Sequence, residues 1–158
     1  MKVKINHILS AICIILAVLS VVSVVRPLCF DRERLHRETK VKHCLCEIRK
    51  AETAYLRLYG NYTSSLERLV ACGLLGDSLK TVPFSDGKDF DIFISVYTGK
   101  SGQSVPIMEC GASFKTYLYG LDENRIRELT EQADSRGEYP GLKFGDITTA
   151  NGNAGNWE

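Results

Sequence analysis

The sequence predicts an α+β fold in which an N-terminal transmembrane helix continues into a long amphipathic helix packed on a small antiparallel sheet. Three observations carry this expectation. Residues 5–25 form a run of 21 with no Asp, Glu, Lys or Arg. Residues 31–59 then place apolar side chains at helical spacing. Strand alternation follows, most clearly from Phe90 to Tyr97.

At about 1.5 Å of rise per residue, the apolar run covers the roughly 30 Å hydrocarbon core of a bilayer. Lys2 and Lys4 also resemble the basic start of a signal peptide. The apolar stretch is longer than the about 7–15 residues of a signal core, and Val24, Val25, Arg26 and Pro27 follow it instead of a small-x-small cleavage site. The anchor is therefore expected to be retained, with residues 1–30 as anchor and junction. Cys13 and Cys29 follow Ile12 and Leu28, not the small residue a lipidation site requires. Lys2 and Lys4 precede the span, whereas Arg26, Arg32, Arg34, Arg37, Lys40 and Lys42 follow it, a count that favours a cytoplasmic body. Asp31, Glu33 and Glu38 are interleaved with those cations on what reads as a continuing helix, where local pairing would blunt that bias, although acids ordinarily contribute little to it.

Residues 31–150 suit one small domain. A net charge of +1, from 20 basic and 19 acidic residues, gives no reason to expect nucleic acid as a partner. The basic cluster between Arg32 and Lys50 reads as a solvated helix beside lipid headgroups. Of six cysteines, Cys44 and Cys46 point in different directions on one helix, and a Cys72–Cys110 bond is open only in an oxidising compartment.

In the long helix, Val41, Ile48 and Tyr55 recur every seven residues, flanked by Leu45, Ala51, Leu58 and Tyr59, with Arg49, Lys50, Glu52 and Arg57 assigned to other faces. Pro27 marks a kink or interruption at the join with the anchor. Gly60 and Asn61 stop the helix. Ser64 and Glu67 have capping-box spacing for a short helix closed by Gly73. Pro83, Asp86 and Gly87 mark a turn before the Phe90–Tyr97 strand. A Gly and Ser loop spans residues 98–104. Strands are expected over 105–110, demoted toward an edge by Pro106, and over 114–119. Asp122 caps a helix carrying Ile126, Leu129 and Ala133, and a final strand is expected within 139–148. Residues 151–158, rich in Asn and Gly, are expected to form a flexible tail.

The passage Ile48, Arg49, Lys50, Ala51, Glu52, Tyr55, then Tyr59, Gly60, Asn61, Tyr62, Thr63, with Leu66, Leu69, Gly73, Leu74 and Leu75, resembles text common in type IV pilins and type II secretion pseudopilins. Residues 139–143 and 154–158 are similar to the ending of a group of single-span envelope proteins from Bacteroidota. The resemblance implies a pilin-like fold, anchoring in the inner (cytoplasmic) membrane, a periplasmic body, and protein partners or self-association. The Gly-Phe processing site of pilin precursors, and the Glu five residues beyond it, have no counterpart at the start of this chain. The resemblance therefore implies a fold more than an activity.

His43 and Cys46 share a helix face, but two ligands fall short of the three or four a zinc site uses. Asp86, Asp89 and Asp91 around Gly87 offer clustered oxygens of the kind calcium takes, a ligand that pseudopilin loops also bind; a polar turn entering a strand explains them equally well. All three histidines precede the globular part, which disfavours histidine-dependent hydrolysis, and no Gly-rich phosphate loop is present. Tyr55 and Tyr59 are expected to bridge helix and sheet. Trp157 either plugs the domain or anchors a partner. The function expected is a non-catalytic structural or assembly component of a cell-envelope complex, interacting through the membrane helix and the stripe at Val41, Ile48 and Tyr55 unless that stripe is core. The alternative is a ligand- or calcium-binding sensory domain using the loops at Asp86 and 98–104.

Overall fold

Helix α1, Lys2–Tyr59, is 58 residues long and runs without interruption through Pro27. The computed structural model describes residues 2–99 and 102–158; Lys100 and Ser101 of the expected Gly and Ser loop lie outside them. The chain divides into two compact units, Met1–Leu35 and His36–Glu158.

The first unit is helix throughout its described length. Its Leu9, Ile12, Ile15, Leu16, Leu19 and Val21 side chains are all exposed. An 18-residue window reaches a mean hydropathy of 2.5 with none of it buried, so α1 is long and apolar enough to cross a membrane. The hydroxyls of Ser20 and Ser23 donate to the carbonyls of Leu16 and Leu19, each at 2.8 Å. Serines satisfied in this way on their own helix leave no free donor toward an apolar medium.

In the second unit, α1 supplies the spine of a core. Val41, Leu45 and Ile48 are fully buried, and Ala51 and Tyr55 nearly so. Val41, Leu45 and Ile48 each contribute on the order of 1.5–3 kcal/mol by leaving water. The stripe at Val41, Ile48 and Tyr55 is thus internal packing and offers nothing to a partner. Glu52 is fully buried too, contrary to its assignment to another face. It stands four residues after Ile48, and residues four apart share one side of a helix.

Gly60, at φ +78°, ends α1 with its amide donating to the Leu56 carbonyl at 2.8 Å. Helix α2, Leu66–Ala71, is capped by Ser65 and not by Ser64: the Ser65 hydroxyl accepts from the Arg68 amide at 3.3 Å and donates to Glu67 at 2.8 Å. A 3-10 turn at Asp77–Leu79 leads to a loop closed by a bridge between Thr81 and Asp89.

Strands β1, Asp91–Thr98, β2, Ser104–Ser113, and β3, Gly141–Gly145, form one antiparallel sheet in the order β1-β2-β3. β2 is therefore central, not an edge. Pro106 is tolerated in it at a position that β3, which pairs only with Glu109–Ser113, does not reach. The strand expected over 114–119 is instead a helical turn, α3, Phe114–Tyr117. Phe114, Tyr117 and Leu118 stand at i, i+3 and i+4, and that spacing buries Tyr117 and Leu118 together. Helix α4, Glu123–Ser135, begins at Asp122, whose carboxylate accepts from the Asn124 and Arg125 amides.

The last residues do not trail free. The Gly145 amide donates to Ala154 at 2.9 Å, the Asn156 amide donates to Lys143 at 2.9 Å, and the Asn156 side chain donates to the Gly141 carbonyl at 3.0 Å. Gly155 forms an isolated bridge with Phe144. Asn and Gly here supply main-chain and amide hydrogen bonds where apolar burial is lacking.

Candidate functional site

The sheet register places Cys110 between Ile92 and Phe144, on a rung whose other side chains are apolar. Glu52 lies near that rung, close enough for its charge to bear on Cys110. One carboxylate oxygen of Glu52 accepts the Thr63 amide at 3.1 Å; the other has no hydrogen-bond partner among the described residues. Burial pushes the Glu52 carboxyl up to about 7, against the smaller opposing effect of the Thr63 amide. Burial also raises the Cys110 thiol, and Glu52 adds to that rise. A thiol held protonated in this way is a poor nucleophile. Of the two, Glu52 is the group whose proton is exchanged near neutrality.

A second polar cluster ties α1 to the chain's end. The Arg49 guanidinium reaches Glu158 at 2.8 Å and the Asn153 carbonyl at 3.1 Å, while the Asn153 side chain donates to the Tyr62 hydroxyl at 2.9 Å. A groove of about 410 Å³ beside it is lined by Arg49, Lys50, Thr53, Arg57 and Asn153. A smaller one, about 260 Å³, opens between Tyr62, Pro106, Ile107 and Asp146. Near α4, Tyr119, Leu121 and Ile126 line a depression of about 510 Å³ rimmed by Lys115, Glu123 and Arg127.

Acidification is expected to loosen the chain's end. Arg49, then the Gly155 amide, hold the Glu158 carboxyl below its usual range, so the stability it lends is present above the unfolded value of 4.5 and is lost as pH falls through the lower folded value. Trp157, the single tryptophan, reports on it. Its emission should shift to the red on acidification, and Glu158→Gln should show the shifted emission already at neutral pH. Equal emission from the two proteins across the range would count against the clasp.

The structure does not bring the remaining sequence-predicted residues together as a site. Asp89 accepts from the Thr81 hydroxyl at 3.0 Å, Asp86 lies in the exposed turn, and Asp91 begins β1 opposite Gly111. Among the described residues no group of three or more His, Cys, Asp or Glu is placed to hold a metal ion. Cys44 is buried, His43 exposed and Cys46 intermediate. All six cysteines are free; Cys110 is buried, whereas Cys72 is exposed with its sulfur 3.9 Å from the Tyr59 hydroxyl. Tyr59 thereby reaches toward the end of α2 and not the sheet, its ring 4.4 Å from that of buried Tyr55. Trp157 is half-buried and folded onto Gly155, where an added Cβ would come within 2.6 Å of the indole.

Sequence reasoning missed two features. Glu52 was legible from its i+4 spacing to Ile48. The other is the outer edge of β1, where Phe93, Ile94, Val96 and Tyr97 are all exposed. No protein-family model, curated protein or solved structure matches this chain.

Proposed function

We propose that this protein is a membrane-anchored, non-catalytic structural or assembly component of a cell-envelope complex, pseudopilin-like in build, with α1 held in the cytoplasmic membrane and the domain on its periplasmic side. The observation that carries the reading is the uncovered apolar window of α1, with its self-satisfied serines, in the same helix whose later turns form the core of a small α+β domain. A helix of that hydropathy left in water would expose far more contiguous apolar surface than a soluble monomer carries. Its partners are lipid and protein.

The reading predicts that the full chain stays with membranes through high-salt and alkaline washes. A reporter fused after Glu158 should be active only outside the cytoplasm, and cross-linking in native membranes should yield discrete protein adducts. A mature product that begins beyond Val25 and is recovered in the aqueous fraction would overturn it.

A further inference from the structure

The edge of the sheet carries the strongest unexplained feature. Main-chain bonds alternate along an antiparallel strand, so one well-placed bond fixes the direction of the rest. The Gly99 amide donates to Gln103 at 2.9 Å, continuing the β1–β2 ladder, whereas the Phe90 amide points the other way, to Lys80 at 3.2 Å. Odd-numbered residues of β1 therefore direct their main chain at β2. Ile92, Ile94, Val96 and Thr98 direct theirs outward, beyond the point where the segment around Lys80 covers the edge.

Native edge strands are ordinarily blunted by Lys, Pro, a bulge or a covering loop. Between Ile92 and Thr98, β1 has no charge and no Pro. Both of its faces also show apolar side chains to solvent: Phe93 is 54% and Val96 62% exposed.

The strand is chemically symmetric about Ser95. Ile94 and Val96 flank it as a β-branched pair, Phe93 and Tyr97 as an aromatic pair, and Ile92 and Thr98 again as β-branched residues. A two-fold contact requires a surface that complements itself, each residue meeting its counterpart twice. An antiparallel pairing centred on Ser95 does so. Phe93 meets the second copy's Tyr97 on one face, and Ile94 meets the second copy's Val96 on the other, with the outward main-chain groups of Ile94 and Val96 exchanging hydrogen bonds. Aromatic and β-branched cross-strand pairs are stabilising ones. The sole charge of the strand, Asp91, falls opposite Gly99, so no like charges meet.

We propose that β1 pairs with β1 of a second copy of this chain about a two-fold axis at Ser95, joining two three-stranded sheets edge to edge. The inference rests on the assembly reading for its biological sense and not for its chemistry, so the two can fail separately.

The test is cysteine cross-linking of the full-length protein in membranes. At the axis, a position between outward bonds, Cα atoms oppose at about 4.5 Å, within disulfide range. Ser95→Cys should give a disulfide dimer on mild oxidation that the parent protein, with its native cysteines, does not. Phe93→Cys alone should not, because its own counterpart lies four residues away, about 13 Å at strand rise. A mixture of Phe93→Cys and Tyr97→Cys chains should. Val96→Lys, at an exposed position that leaves the fold intact, should remove the Ser95→Cys dimer. The proposal is overturned if Ser95→Cys gives no dimer beyond the parent's, if Phe93→Cys alone cross-links as well, or if Val96→Lys has no effect. Adducts to other proteins without a homodimer would also overturn it, while leaving the assembly reading standing.

Discussion

Replacing Glu52 by Gln is expected to remove a pH-dependent weakness from the core. In the native protein the folded-state carboxyl is raised from 4.5 to about 7. Below pH 4.5 both folded and unfolded chains carry the proton, and burial of the neutral acid exacts no titration penalty. Between 4.5 and about 7 the unfolded chain releases the proton first, so stability falls as pH rises, and above about 7 the full loss persists. At 1.36 kcal/mol per pKa unit the loss is roughly 3 kcal/mol, a large share of the about 5–15 kcal/mol typical of a domain. Gln cannot titrate, and its carbonyl can still accept the Thr63 amide.

Denaturation of full-length protein in detergent, followed from pH 4 to 8, should therefore show the variant gaining on the parent by roughly 3 kcal/mol across the range. Comparison with the parent at each pH is essential because Glu158 and Asp146, both held below their usual range by hydrogen bonds, slope the other way. A difference that stays constant with pH would mean that Glu52 titrates as an exposed carboxylate does. The missing slope would then count against its burial.

What the sequence disclosed follows from how local each signal is. The seven-residue recurrence of Val41, Ile48 and Tyr55 marks a helix face by itself, and Asp122 caps α4 through amides two and three residues on. Such features need no knowledge of the rest of the chain. Which residues of that face are deepest is another matter. Glu52 looks like a surface residue by type, and its depth is set by the sheet that closes over it. Residues 114–119 hold enough apolar and aromatic side chains to suggest a strand; in the helical turn they form instead, the Phe114 amide donates to the Pro140 carbonyl, a partner 26 residues distant that no local pattern announces. The chain's end defeats composition altogether, since Asn and Gly signal loops whether or not their amides find partners.

The candidate surfaces were less legible than the fold. Alternation along residues 90–97 reads as a strand, but the exposure of Ile94 and Val96 beside Phe93 and Tyr97 comes from strand order. Pro106 pointed to the wrong strand as the edge. Its missing amide falls where β3 has already ended, so a central strand carries it without losing a partner on that side.

Gly145→Ala is expected to be the most damaging single-atom addition in the domain. Gly145 ends β3 at φ +76°, where an L side chain is strained by about 1–2 kcal/mol. A Cβ there would also run into the Met108 carbonyl oxygen, a backbone atom that cannot swing aside as a side chain can. Overpacking of this kind costs about 1–3 kcal/mol. The same residue's amide holds Ala154, so displacing it loosens the chain's end as well as the sheet. Gly60 separates the two contributions: its φ is +78°, but an added Cβ would meet nothing within 4 Å. Gly60→Ala should lower the melting temperature by the equivalent of about 1–2 kcal/mol, and Gly145→Ala by about twice that or more, with red-shifted Trp157 emission in the second variant only. Equal destabilisation by the two substitutions would show that backbone conformation alone matters at Gly145, and that the close approach of β2 and β3 at Met108 does not constrain it.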